Sequence, residues 1–191
     1  WDTLSRLYNV PQWWRDAKFG AWSHWDPQSA AEFGDWYSRG MYIQGHPQYE
    51  YHLQHYGHPS EYGYKDLCND WVIDKWNPDE LMKLYIDMGA RYFVAMGNHH
   101  DNFDCWDSEY QPWNSVNVGP QKDIVGIWKL IADRYDMPFG IGFHATPART
   151  YGQFMTVRYR SDRTGQYEGV PYDAMLTEED GKGKHHGQLH L

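Results

Sequence analysis

The chain has 191 residues, a length that suits one domain or part of a larger one, and its 41% hydrophobic and 23% charged residues argue for a packed core over disorder. A formal net charge of −9 argues against nucleic acid as a partner, because phosphate binding needs a basic face. A membrane partner is equally unexpected: no apolar run approaches the roughly 20 residues of a spanning helix, and no basic amphipathic stretch suits a bilayer surface.

In chain order, segment 11–17 reads as a short helix with Pro11 in its first turn. Lys18 to Trp25 alternates and is aromatic, which predicts a first strand ending at His24-Trp25. Residues 26–76 form a long connection studded with Gly and Pro, with a helix expected from Pro47 to Tyr56. A connection of that length inside a domain is usually functional. The next helix is well signposted: Asn77 at the N-cap, Pro78 at the first helical position and Glu80 where a capping box places it. Leu81, Leu84, Tyr85 and Met88 share one face of it, and Gly89 ends the run.

Tyr92-Phe93-Val94-Ala95-Met96 then reads as a strand, within 91–97, buried on both faces. Asp123 to Tyr135 predicts a further helix with Ile124, Ile127, Trp128 and Ile131 inward. Pro138 closes it, and Phe139-Gly140-Ile141-Gly142-Phe143 makes a third strand ending at His144. Strand, helix, strand, helix, strand predicts an α/β fold of parallel strands with right-handed crossovers. From Ala145 the pattern weakens, and 145–191 reads as a long loop or irregular segment.

The most telling stretch is Met96-Gly97-Asn98-His99-His100-Asp101-Asn102-Phe103, a polar cluster just past a strand's C-terminal end. That is where α/β sheets and barrels place their chemistry. His24, the His99/His100 pair and His144 all fall at such ends and would converge on one rim, as metal ligands or as hydrogen-bonding partners of substrate hydroxyls. Metal needs convergent ligands, and neither His-x-His nor HExxH spacing occurs, so no metal site is expected. His52, His55 and His58 stand three apart and read as a solvated helix end rather than a cation site; no catalytic role is expected of His185, His186 or His190. Asp35-Trp36-Tyr37 suits either a sugar clamp, with the carboxylate accepting from hydroxyls and the indole stacking, or a surface turn. The aromatic content, 18% with 11 Trp and 16 Tyr, fits core packing and carbohydrate stacking alike. Cys68 and Cys105 form neither a disulfide scaffold nor a metal knuckle.

Together these residues resemble a known family. Lys18-Phe19-Gly20 with His24-Trp25, Asp35-Trp36-Tyr37 and Tyr62-Gly63-Tyr64-Lys65-Asp66-Leu67 are similar to the opening of the α-L-fucosidases among the glycoside hydrolases. Trp76-Asn77-Pro78-Asp79-Glu80, Gly89-Ala90-Arg91-Tyr92, His99-His100-Asp101-Asn102-Phe103, Trp106-Asp107-Ser108, Trp113-Asn114-Ser115 and Gly119-Pro120-Gln121-Lys122-Asp123 continue in the family's order. The resemblance implies an α/β fold that is the N-terminal portion of a (β/α)8-like, TIM-type barrel, truncated after about three strands, because a closed barrel needs eight strands and roughly 250 residues. Residues 1–191 would be the N-terminal part of the catalytic domain, with the rest of the barrel and a C-terminal β-sandwich beyond it.

The activity implied is retaining hydrolysis of terminal α-L-fucosides, without cofactor or metal ion, on a fucosylated oligosaccharide or glycoconjugate. By the same resemblance His24, His99 and His100 would hydrogen-bond fucose hydroxyls and Trp36 would pack on the sugar. Asp35 stands where the family usually has Glu, one methylene shorter. Gly142-Phe143-His144 stands in place of a third-strand end of tyrosines and serine, so one hydroxyl contact would be either lost or taken over by His144. Retaining hydrolysis needs two carboxyl groups about 5 Å apart. The family's nucleophile and acid/base lie on later strands and neither motif occurs here, so no catalytic residue is assigned within 1–191. The segment alone is predicted inactive, with the remainder of its own chain as partner over an exposed third-strand edge. A secreted, periplasmic or lysosomal location is suggested by the family alone. Two rivals remain: a non-catalytic sugar-binding barrel, and a metal-dependent hydrolase barrel using His24, His99 and His144.

Overall fold

Three short apolar runs separated by amphipathic helices must hydrogen-bond to one another, and a helix between each pair forces them parallel. The computed structural model, which describes residues 1–144 and 161–172, has this arrangement. Strands β1 (Ala21–Ser23), β2 (Phe93–Asn98) and β3 (Phe139–Phe143) form a parallel sheet in the order β1-β2-β3. Before β1 lie α1 (Asp2–Leu7) and α2 (Gln12–Ala17). A 3-10 turn (Pro27–Ala31), α3 (Tyr37–Gly40), α4 (Pro47–His55), α5 (Tyr64–Asp70) and α6 (Pro78–Asp87) fill the first crossover, and α7 (Ile124–Arg134) forms the second.

Caps explain where the crossover helices begin. Asn77 Oδ1 accepts the backbone N–H of Glu80 at 3.2 Å and Asp123 Oδ1 accepts that of Gly126 at 2.7 Å, each satisfying a donor left over in the first turn. The core then forms between β2 and α7. Phe93 is fully buried against Trp128, ring centroids 4.5 Å apart, and Trp128 meets Trp76, which in turn meets Trp25. Much of the aromatic excess is therefore packing.

Three expectations need correction. The first strand is shorter than Lys18 to Trp25, because Lys18 adopts a left-handed conformation (φ 60°) and the chain after Ser23 turns out of the ladder. The face of α6 is rotated. Met82 is fully buried and Tyr85 stacks on Phe93, whereas Leu84 (52% exposed) and Met88 (62%) face outward, because the ring stack on β2 sets the roll of the helix. Nor are His52 and His58 a solvated helix end. His52 Nδ1 meets Tyr37 Oη at 3.0 Å and its Nε2 meets the Tyr62 carbonyl at 2.8 Å; His58 Nδ1 meets Ser60 Oγ at 2.7 Å. Both rings are fully buried; only His55 is exposed.

Of the segment 145–191, residues 161–172 are described. They are irregular and mostly exposed, held by two buried side chains, Asp162 and Tyr172. Asp162 is buried, accepts hydrogen bonds from the hydroxyls of Tyr49 and Tyr172 (the latter 2.6 Å), and lies 3.6 Å from His58 Nε2. His185, His186 and His190 lie outside the described residues.

Candidate functional site

Parallel strands deliver their C-terminal ends to one edge of the sheet, and each of the three ends here in histidine. His24 follows β1. At the end of β2 a bulge between Met96 and Asn98 shifts the register. Gly97 allows it: a Cβ there would lie 2.6 Å from Ile141 Cγ2 and 3.2 Å from the Phe143 ring, so no larger residue lets β2 and β3 approach this closely. Beyond the bulge, His144 N–H donates to the Asn98 carbonyl at 2.9 Å and locks the two strand ends together.

The four imidazoles consequently gather. Ring centroids are 4.7 Å apart for His24–His99, 4.6 Å for His99–His100, 5.1 Å for His99–His144, 5.3 Å for His100–His144 and 5.7 Å for His24–His144. Asp35 joins from the first crossover, its Oδ1 3.6 Å from His24 Nε2 and 3.9 Å from His99 Nε2. Trp36 lies edge-on to His100 at 4.7 Å. Trp36 holds a left-handed backbone (φ 61°), costly for a bulky residue, and Asp35 Oδ1 accepts the Trp36 N–H at 2.8 Å. The turn is thus strained at the residue that faces the rim. All six residues singled out from the sequence, His24, Asp35, Trp36, His99, His100 and His144, are brought together.

Others were missed. Trp22 walls the rim, 4.8 Å from His24 and 5.6 Å from His144. Strand alternation could have found it, since residues two apart share a face. Buried Asp26, Gln28 and Asp101 support His99 from behind. Asp26 caps the 3-10 turn by accepting the Gln28 N–H at 3.0 Å, and Asp101 accepts from Tyr64 Oη at 2.6 Å and from Phe103 N–H at 3.1 Å. Gln28 reaches His99 Nδ1 across 71 positions of sequence, and no local signal announces that contact.

Burial governs the charges. His99 is pushed down to about 2 by desolvation, with further repulsion from His100, His24 and His144. His100 and His144 are lowered for the same reasons, burial first. Desolvation and the neighbouring Asp101 push the Asp26 carboxyl well above its ordinary range. The rim therefore offers three imidazoles kept neutral by burial, His99, His100 and His144, together with the His24 ring, indole walls and the exposed Asp35 carboxyl, a set suited to hydroxyl groups. His99 also belongs to three groups of close metal-type donors: with His100 and His144, with His24 and Asp35, and with Asp26 and Asp101.

A pH dependence follows. Fully buried His52, His58 and His99 all have folded values below the unfolded value of about 6.5, so the unfolded chain binds the extra protons as pH falls. Stability is fully present above about pH 6.5 and drops below it by up to about 1.4 kcal/mol per pH unit for each such imidazole. Urea midpoints should fall between about pH 7.5 and about pH 5.5; a flat profile over that range would contradict neutral burial.

Comparison with known proteins adds the family. The family model described as Alpha-L-fucosidase matches residues 1–179. An alpha-L-fucosidase of Branchiostoma floridae is 31% identical over 147 residues, covering 74% of this chain and 32% of that protein. The tissue alpha-L-fucosidase of Homo sapiens is 33% identical over 119 residues, covering 61% of this chain and 25% of that one. Among solved structures, the alpha-fucosidase of Thermotoga maritima in complex with fucose superimposes with a TM-score of 0.70 at 30% identity, covering 75% of this chain and 36% of that one. The chain thus spans between a quarter and just over a third of the length of these relatives.

Proposed function

The chain belongs to the α-L-fucosidase family, and from that premise we propose that it holds the sugar-recognition half of the active site of a retaining glycoside hydrolase releasing terminal α-L-fucose or a close relative. The carrying observation is the convergence of His24, His99, His100 and His144 on one strand-end rim beside Asp35 and Trp36. Neutral imidazoles offer both a donor and an acceptor, which matches vicinal hydroxyls, and an indole offers a flat apolar face to a sugar's C–H bonds. The Asp35 carboxylate, one methylene shorter than the glutamate expected there, would accept from a hydroxyl between His24 and His99.

The nucleophile and acid/base belong to sequence beyond Leu191 in this reading. Asp26 and Asp101 do not serve instead, being sealed from solvent and engaged by Gln28, Tyr64 and Phe103. In this proposal the three-stranded sheet is the first part of a (β/α)8-like barrel that continues from β3, whose Ile141 and Phe143 are about half exposed. Assayed on an aryl α-L-fucoside, the full-length protein should release fucose with retention, and residues 1–191 alone should be inactive. A full-length protein inert toward every fucoside and galactoside would defeat the proposal.

The closeness of the donor groups favours one second reading, a metal-dependent hydrolase barrel, with His99 joined by His100 and His144 or by His24 and Asp35 instead of by His24 and His144. Metal analysis of purified full-length protein separates the two. One equivalent of zinc supports the second reading.

A further inference from the structure

We propose that Gln28 is a positioning residue that holds His99 in the tautomer with its proton on Nε2, so that a neutral imidazole presents a single N–H donor to the rim. The inference deepens the sugar-site reading and rests on it only for the identity of the ligand. Gln28 and Ser38 are both buried, and burial leaves their polar atoms no water to turn to. Ser38 Oγ donates to Gln28 Oε1 at 3.2 Å. Gln28 Nε2 faces the Asp26 carboxyl at 3.4 Å and His99 Nδ1 in close contact. An amide nitrogen has only hydrogens to offer, so His99 Nδ1 must accept, and the one ring proton of a neutral imidazole sits on Nε2. His99 Nε2 is buried and has no hydrogen-bond partner among the described residues; it looks toward Asp35 Oδ1 at 3.9 Å. A ligand oxygen between them would satisfy both. The very low value of His99 keeps the ring from escaping the constraint by taking a second proton.

The same proton bears on metals. His99 belongs to every close donor set among the described residues, and with Nδ1 occupied by the amide and Nε2 protonated it has no lone pair for a cation. Metal-bound histidines show the reverse pattern, donating their second ring N–H to a carboxylate or carbonyl. Gln28 therefore selects a hydroxyl site over a metal site. Gln28→Glu should exchange the two, because a carboxylate at that place accepts from Nδ1–H and frees the Nε2 lone pair beside His24 and Asp35.

The test uses nitrogen NMR of the full-length protein with 15N-labelled histidine, together with titrations of L-fucose and of Zn2+. Parent protein should show His99 protonated on Nε2 across neutral pH and no zinc binding at the rim. Gln28→Glu should move the proton to Nδ1, weaken L-fucose about tenfold and gain a zinc site. Gln28→Met, which removes the amide without supplying a carboxylate, should lose the fixed tautomer and gain no zinc. A parent with the proton on Nδ1 overturns the proposal. So does a Gln28→Glu variant with unchanged tautomer and unchanged fucose affinity. A parent that binds no L-fucose strikes the sugar reading alone, since the nitrogen signals decide the tautomer without ligand.

Discussion

His99→Ala in the full-length protein is expected to lower kcat/KM toward an aryl α-L-fucoside by about 10²- to 10³-fold, the range for deleting one preorganised donor from a transition-state site. The size follows from the surroundings. The imidazole is fully buried, held at Nδ1 by Gln28, and flanked by three further histidine rings. Its N–H is oriented before the ligand arrives and costs little to align as charge develops on the sugar. The substitution also strands the Gln28 amide, so circular dichroism must show that the variant stays folded. His55→Ala is the control, because His55 is exposed and, through its ring and its Nδ1, contacts Tyr51 on its own helix and not the rim. An His99→Ala variant that keeps parental kcat/KM while folded would contradict the role.

The largest loss of stability is expected at Asp162. Asp162→Ala should cost about 2–6 kcal/mol in urea unfolding, from about 1–3 kcal/mol for each of two buried donors left without an acceptor. Two buried phenols, Tyr49 and Tyr172, donate to this carboxylate, and His58 Nε2 lies 3.6 Å away. Both tyrosines are pushed upward, by burial first and by the carboxylate next, so they remain donors at every relevant pH. Alanine leaves two buried hydroxyls without an acceptor and removes the carboxylate nearest His58 Nε2. Asp162→Asn, which keeps an oxygen, should lose clearly less. A cost below about 1 kcal/mol for Asp162→Ala would show that segment 161–172 contributes little to holding α4 and the chain around His58 in place.

What could be read in the sequence divides along the distance between partners. Caps at Asn77 and Asp123 act within one helical turn, and the apolar run of β2 speaks for itself, so these elements were legible. The gathering of His24, His99, His100 and His144 was legible at one remove, because parallel topology alone places successive strand ends on a common edge. The roll of α6 was not, since Met82 and Leu84 are both apolar and only the stack of Tyr85 on Phe93 decides between faces. His52 and His58 carry a helix-surface spacing, yet their burial depends on Tyr37, Tyr62 and Ser60, contacts that periodicity does not encode. Gln28 lies furthest from any sequence signal. A glutamine after Asp-Pro reads as the first turn of a helix, and only the folded chain puts its amide against a ring 71 residues away.

The most direct test of the account is a crystal structure of the full-length protein with L-fucose bound. The sugar should sit at the strand-end rim with hydroxyl oxygens about 3 Å from ring nitrogens of His24, His99 and His100, and with the Trp36 indole against it. A sugar bound elsewhere on the molecule, touching none of these imidazoles, would contradict the account.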